Sequence, residues 1–187
     1  MLFTDHGAIV DVAPPAREGA TANDDEHGGR RSGAGMKRTR PKVLAVASGG
    51  GHWVQLRRIA PAFAGADVVY VTVEPSYRAE VGDARFRLVL DATRWNKLKL
   101  VWMLLQMCWI VLRERPDVVI STGAAPGYFA IRFGRWFGAR TMWIDSIANV
   151  EHLSLSGQKI KKHADRCLTQ WPHLEAPGGP EHVGSVL

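Results

Sequence analysis

The chain has 187 residues, of which 46% are hydrophobic and 22% charged, and this composition suits a globular domain with a core of its own. Its two cysteines, Cys108 and Cys167, form no Cys-x-x-Cys pair, which argues against a disulfide framework or a zinc site and suits a reducing compartment. Residues 1–35 lack the continuous apolar segment of a secretory signal.

The net charge of +6 is unevenly placed. Residues 1–40 carry as many acidic as basic side chains, so the whole excess lies on residues 41–187. A basic balance favours anionic partners such as phospholipid headgroups, a pyrophosphate or nucleic acid, and a solvated basic surface explains it equally well. The chain lacks the combined aromatic and basic pattern of an RNA-binding sheet, so we expect no nucleic acid partner.

Residues 1–40 are rich in Gly, Ala, Asp, Arg and Pro and show no sustained period. This composition predicts a disordered tail. The segment that begins at Met36 looks like a natural start, so the residues before it are interpreted as an over-extended start or a dispensable arm. Residues 41–187 are predicted to form a single domain.

From Pro41 onward, strand-like and helix-like segments alternate. The predicted strands are 43–47, 68–73, 86–90, 118–121, 141–144 and 167–170, and the predicted helices are 52–64, 95–113, 126–137 and 155–164. Several of the strands are continuous apolar runs, as expected where helices cover both faces of a parallel sheet. The alternation predicts an α/β fold, a Rossmann-like doubly wound parallel sheet.

The first predicted strand ends in a glycine turn, Ser48-Gly49-Gly50-Gly51-His52. Glycines let the backbone approach a ligand closely, and the helix that follows points free N–H groups at an anionic or polar group. His52 is the side chain in the turn that can exchange a proton near neutral pH. The spacing matches neither Gly-x-Gly-x-x-Gly nor a Walker loop, so a plain structural turn remains the alternative.

Polar residues also follow two later strands. Thr122 and Gly123 follow the fourth strand, and Asp145 and Asn149 follow the fifth. Ligands of doubly wound sheets bind at the carboxyl ends of the strands, so we expect these residues to line one cleft with the glycine turn. A simple helix start is the alternative for the first pair. Glu151 is interpreted as a general base or a sugar ligand, or else as the cap of the next helix.

The later histidines show no metal-ligand spacing and are interpreted as ordinary surface residues, so no metal site is expected. These residues are His152, His163, His173 and His182.

Residues 100–112 form an apolar segment of 13 residues with one polar interruption, Gln106. At about 1.5 Å per residue it spans roughly 20 Å, less than a bilayer core of about 30 Å, which argues against a transmembrane helix. Two interpretations remain, a helix buried on the sheet and a helix lying at the headgroup level of a membrane. Tryptophans recurring every seven residues on one helical face, with lysines near the helix start, favour the second. The predicted membrane contacts are Trp95, Trp102, Trp109, Lys97 and Lys99.

Taken together, segments 48–56, 116–123, 145–157, 164–171 and 183–185 resemble the acceptor-side subunit of two-subunit glycosyltransferases that use UDP-sugars. One branch of this family is eukaryotic and recruits a catalytic partner to the endoplasmic reticulum in dolichol-linked oligosaccharide synthesis. The other is bacterial and acts in capsule and exopolysaccharide assembly. Both branches are similar to the N-terminal half of the peptidoglycan lipid-intermediate N-acetylglucosaminyltransferase, a GT-B enzyme.

The resemblance covers residues 41–187 and implies an acceptor-binding GT-B half-domain rather than a complete enzyme. It implies a partner subunit of the C-terminal GT-B type that binds the donor, while this chain holds the lipid-linked acceptor and recruits the partner to the membrane. The expected location is the cytoplasmic face of the inner (plasma) membrane, peripheral or monotopic. Enzymes of the GT-B class generally need no bound metal, so no cofactor is expected.

The implied reaction is an inverting transfer of N-acetylglucosamine or glucuronic acid from a UDP-sugar to a polyprenyl-diphosphate-linked sugar. The acceptor hydroxyl needs a base. His52 is the first candidate, because related enzymes place a histidine at this turn, and Glu151 is the second. Ser48 and the three glycines would border a diphosphate, and Thr122, Gly123, Asp145 and Asn149 would also contact substrate. The alternatives are a non-catalytic membrane recruiter and a stand-alone nucleotide-binding protein.

Overall fold

The computed structural model describes residues 40–92 and 95–186, so most of the predicted tail lies outside the described residues. Six strands form one parallel sheet in the order β3-β2-β1-β4-β5-β6. The strands are β1 Lys42–Val46, β2 Asp67–Thr72, β3 Arg85–Leu88, β4 Val118–Ser121, β5 Arg140–Ile144 and β6 Arg166–Leu168. The helices are α1 Gly51–Arg58, α2 Lys97–Glu114, α3 Ala124–Trp136 and α4 Leu155–Ile160. The predicted doubly wound α/β fold is confirmed.

Helices cover both faces of the sheet, which explains why the central strands β1, β2 and β4 are largely apolar. On one face, α2, α3 and α4 pack around a cluster that includes Met103, Ile131 and Trp143. On the other face, α1 and the C-terminal segment pack around a second cluster that includes Trp53 and Leu56. The sheet is therefore the middle layer of three.

Among the helix boundaries that differ from the predicted ones, two have clear local causes. The predicted helix 52–64 ends at Arg58 and continues as a 3-10 turn at Ala60–Phe63, because Pro61 disfavours helical backbone at the residue before it. The predicted helix 95–113 begins at Lys97, since the side chain of Asn96 caps it by accepting a hydrogen bond from the Lys99 N–H at 3.0 Å. Trp95 therefore precedes the helix instead of lying on its face.

The strand order reverses between β1 and β4. From β1 the chain builds β2 and β3 on one side and then returns through α2 to β4 on the other side. In such sheets the crevice outside the carboxyl ends of the two strands is where ligands bind. Val46 at the end of β1 is in register with Ser121 at the end of β4, so the segments that follow these strands are neighbours at this crevice.

Candidate functional site

The glycine turn after β1 leads directly into α1. Gly50 has φ +62° and caps the helix, a conformation that L side chains rarely adopt, so the turn requires glycine at this position. Its N–H donates to the hydroxyl of Tyr77 at 2.9 Å. The Tyr77 ring in turn stacks on Trp53 of α1, with ring centroids 4.7 Å apart. Tyr77 thus fixes the turn from outside it, and the sequence carried no signal for this contact.

His52 and Thr122 bond each other in both directions across the crevice. The Nδ1 atom of His52 lies 2.8 Å from the carbonyl oxygen of Thr122, and the Thr122 hydroxyl donates to the His52 carbonyl oxygen at 2.7 Å. His52 is half-buried and Thr122 is fully buried. The two segments predicted from sequence to share a cleft are therefore in direct contact.

Gly123 accommodates the imidazole ring of His52. A Cβ atom at Gly123 would lie 2.4 Å from both Cε1 and Nδ1 of the ring, closer than real side chains come. Gly123 also has φ +142°, which disfavours any other residue. Both the lack of space for a Cβ atom and the backbone conformation therefore require glycine at position 123.

The carboxylate of Asp145 organises the loop after β5. It is 2% exposed and accepts hydrogen bonds from the Trp143 indole, the Asn149 amide, and the N–H and hydroxyl of Ser154, at distances of 2.6 to 3.1 Å. Four donors occupy the lone pairs of this carboxylate. Asp145 and Asn149 lie one strand away from the His52 crevice, and the partners of the Asp145 carboxylate lie in β5 and in this loop.

The start of α4 is capped by Ser154, whose hydroxyl accepts a hydrogen bond from the Gly157 N–H at 2.9 Å. The alternative role of Glu151 as the cap of this helix is therefore wrong. Glu151 is exposed in the loop, and no hydrogen bond within the described residues joins it to His52.

Two buried glutamines connect the ends of the strands. Gln55 of α1 and Gln170 after β6 each donate a side-chain N–H to the carbonyl oxygen of Asp145 at 3.1 Å. The Oε1 atom of Gln55 has no hydrogen-bond partner within the described part of the chain. Ser48 contributes its carbonyl oxygen, which accepts from the Thr72 hydroxyl at 3.2 Å. Gln170 ends the predicted strand 167–170, at the edge where ligands of such sheets bind, whereas the sequence carries no signal for Gln55 because the direction of a side chain is not visible in it.

The helix α2 has two apolar faces. Met103, Met107 and Ile110 are buried on the sheet, whereas Trp102 and Trp109 are 62% and 56% exposed. The other exposed apolar residues of the outer face are Leu98, Val101, Leu105 and Leu112. The interpretation as a helix buried on the sheet is therefore confirmed for the inner face, and contact of the outer face with a membrane stays a prediction.

Cationic side chains border the outer face of α2. Lys97 and Lys99 are exposed at its start, and the Arg113 guanidinium lies 5.2 Å from the centre of the Trp109 ring. Within residues 40–92 and 95–186, no helix is long and apolar enough to cross a membrane. The same residues contain no group of three metal-ligating side chains.

A six-stranded parallel sheet of this order, with glycine-rich segments at the strand reversal, defines the chain as a Rossmann-like unit of the GT-B type. It resembles the MurG protein of Acinetobacter baumannii with a TM-score of 0.63 and 14% identity, over 78% of this chain and 45% of that one. It also resembles a UDP-N-acetylglucosamine 2-epimerase with a TM-score of 0.57 and 11% identity, over 71% of this chain and 42% of the other. Identities this low show the fold alone.

Residues 78–184 match the family described as "Oligosaccharide biosynthesis protein Alg14 like", and the chain belongs to this family. Over 71 residues it is 34% identical to the UDP-N-acetylglucosamine transferase subunit ALG14 of Yarrowia lipolytica, a match covering 35% of this chain and 33% of the relative. It is 33% identical over 79 residues to the corresponding subunit of Schizosaccharomyces pombe, which covers 38% of this chain and 37% of the relative. The matched region thus spans about a third of these relatives.

Proposed function

We propose that the chain is the acceptor-side subunit of a heteromeric inverting glycosyltransferase. The proposed reaction moves N-acetylglucosamine from its UDP derivative to a sugar on a polyprenyl diphosphate, in oligosaccharide or polysaccharide biosynthesis. Two relatives are named as subunits of a UDP-N-acetylglucosamine transferase, which favours this sugar over glucuronic acid. We further propose that the pathway is bacterial exopolysaccharide assembly.

The observation that carries the proposal is His52 between two glycine segments at the strand reversal. The imidazole lies against Gly123 and bonds Thr122, while its own backbone belongs to the glycine turn. The matched part of MurG is 45% of that chain. In the proposed arrangement a donor-binding partner subunit supplies a second Rossmann-like unit, and the substrates lie between the two polypeptides.

The proposed roles follow from these positions. His52 takes the proton from the acceptor hydroxyl as a general base, with Glu151 as the second candidate. The backbone of Gly49, Gly50 and Gly51 borders a diphosphate, together with Ser48. Since four donors occupy its carboxylate, Asp145 acts on the substrate through the loop that it holds, which includes Asn149.

The proposed location is the membrane surface on the cytoplasmic side, reached through the outer face of α2. Trp102 and Trp109 would enter the headgroup region, where amphipathic aromatic rings are favoured, and Lys97 and Lys99 would meet anionic lipid. Trp95, which is 81% exposed just before the helix, would extend this contact. Docking of this kind would place the crevice beside a lipid-linked acceptor.

The experiment begins with the tagged chain purified from its native cells together with its partner, which is expected to resemble the C-terminal half of a GT-B enzyme. His52→Ala should lower the rate of N-acetylglucosamine transfer by about a hundredfold or more, the usual contribution of a general base, while assembly and vesicle binding persist. His152→Ala, an exposed histidine in the loop after β5, is the matched control.

Three outcomes separate the candidate functions. A near-normal rate for His52→Ala, with loss of rate in Glu151→Gln, would transfer the base role to Glu151. Normal rates in both variants would favour a non-catalytic recruiter, which the exposed apolar face of α2 also supports. A wild-type complex that transfers no N-acetylglucosamine would refute the proposed reaction.

A further inference from the structure

We propose that Thr122 and Gly123 are positioning residues that hold His52 in one tautomer, with hydrogen on Nδ1 and a lone pair on Nε2. The sequence suggested direct substrate contact for both residues, and their contacts assign them a different task. The catalytic consequence rests on the proposed function, whereas the tautomer itself does not.

A hydrogen bond joins the ring of His52 to the backbone of Thr122. Nδ1 of His52 lies 2.8 Å from the carbonyl oxygen of Thr122. A carbonyl oxygen can only accept a hydrogen bond, so Nδ1 must carry the hydrogen. Neutral imidazole has one ring N–H, which leaves Nε2 as the acceptor. An imidazole that takes a proton from a hydroxyl needs this arrangement, because its free nitrogen must face the substrate.

A second hydrogen bond joins the same two residues in the opposite direction. The buried hydroxyl of Thr122 donates to the His52 carbonyl oxygen at 2.7 Å. The first bond fixes the ring and the second fixes the backbone that carries it. Together the two bonds restrict rotation of the side chain and movement of the glycine turn, and so keep the ring in position.

The ring of His52 packs against Gly123. A Cβ atom at Gly123 would lie 2.4 Å from Nδ1 and Cε1, so a larger residue would push the ring away from the Thr122 carbonyl. Rotation of the ring by half a turn would present a carbon to that carbonyl and lose the bond. The glycine therefore allows the one ring position in which Nδ1 can donate.

Helix α3 supports the segment of Thr122 and Gly123. The N–H of Gly123 donates to the Ser121 hydroxyl at 3.2 Å. A Cβ atom at Gly127 of α3 would lie 1.8 Å from that hydroxyl oxygen, so the helix packs directly on it. No protein group bonds Nε2 of His52 within the described residues, which leaves its lone pair available to accept a proton.

The direct test is nuclear magnetic resonance of the isotope-labelled chain, in which long-range proton–nitrogen correlations distinguish the protonated ring nitrogen from the unprotonated one. The wild-type protein should show hydrogen on Nδ1 of His52. Gly123→Ala should convert the ring to a mixture of tautomers. Gly138→Ala is the matched control, since Gly138 also has a positive φ of 85° but has nothing within 4 Å of its added Cβ.

Thr122→Val and Thr122→Ser form a second pair that does not depend on the folding of Gly123→Ala. Removing the hydroxyl loses one hydrogen bond, about 1 kcal/mol, so kcat of the complex should fall about fivefold with KM unchanged. Serine should restore most of that rate. Normal kcat with a raised KM in Thr122→Val would show direct substrate binding and overturn the proposal.

Hydrogen on Nε2 in the wild-type protein would also overturn it. A wild-type chain with hydrogen on Nδ1 whose complex transfers no sugar would refute the proposed function and leave the positioning of His52 standing.

Discussion

Glu114, the last residue of α2, accepts a hydrogen bond from Arg87 of β3 at 2.8 Å. The contact lies near the amino ends of the strands, at the edge of the sheet opposite the crevice. The Glu114 carboxylate also pairs with Arg85 at 2.6 Å and with Lys42 of β1 at 3.5 Å. The side chain is 4% exposed. Burial by itself would raise its pKa, but the Arg87 hydrogen bond and the charges of Arg85, Arg87 and Lys42 outweigh it and lower the pKa.

The lowered pKa makes the contribution of Glu114 to stability dependent on pH. A carboxyl whose pKa is lower in the folded state stabilises the protein above its ordinary titration range, and that contribution disappears as pH falls through the lowered pKa. Glu114→Gln should cost about 2 kcal/mol near neutral pH, because Lys42, Arg85 and Arg87 lose a shared charged partner, and the partial exposure of the two arginines limits the loss. The cost should shrink below a pH of about 4.

Chemical denaturation of both proteins across this pH range measures the difference. Glu175→Gln, at an exposed glutamate, controls for general charge effects. A cost that stays constant with pH would contradict the coupling.

The outer face of α2 should account for membrane binding. Replacing both Trp102 and Trp109 by Ala removes the two largest exposed side chains of this face and should weaken binding to anionic vesicles by about tenfold or more. Vesicle sedimentation at low and high salt measures the loss and separates the ionic part, which salt screens. Val54→Ser, half-exposed on α1 in the opposite layer, is the control. Equal binding by the double variant and the wild type would exclude this face.

Asp145 should be as important for stability as for function. Asp145→Asn replaces one acceptor oxygen by a donor that faces the existing donors from Trp143 and Ser154. We expect a loss of about 3 kcal/mol in the free energy of unfolding, because buried donors lose a charged acceptor. Thermal unfolding followed by circular dichroism measures it, with Asp83→Asn at an exposed position as the reference. An unchanged midpoint would show that the loop does not need the carboxylate.

Cys167 should resist alkylation in the folded protein. Burial is the main cause and the nearby charge of Asp145 the second cause that raises the pKa of the thiol to about 12. The reactive thiolate is therefore scarce near neutral pH. Iodoacetamide followed by mass spectrometry should modify the half-buried Cys108 first and Cys167 only when the chain unfolds. Rapid labelling of Cys167 in the native protein would contradict this.

The sequence predicted the strands well because burial on both faces leaves a direct trace. The predicted strand 118–121 matches β4, and the other five strands shift by one or two residues. Helix ends were predicted less well, since they depend on single residues. Pro61 stops α1 early, and the cap at Asn96 delays the start of α2 and leaves Trp95 outside it.

The site was predictable in position but not in its contacts. Glycines at a strand end mark a ligand crevice by local chemistry alone, and His52 and Gly123 do lie together there. Which partner holds the imidazole depends on the pairing of β1 with β4, and Tyr77 reaches the glycine turn from a 3-10 turn at Pro75–Glu80. The sequence predicts Asp145 as a substrate ligand and gives no sign of its partners in β5 and the loop, because those contacts depend on how the loop folds.

His52 and Thr122 are separated by 70 positions along the chain. A ribosome therefore releases β1, α1 and the histidine well before the residue that orients the imidazole. Until β4 pairs with β1, the ring is free to rotate and to exchange tautomers. A partly synthesised chain would thus have an unoriented imidazole even with α1 formed, and orientation would coincide with completion of the central strand pair.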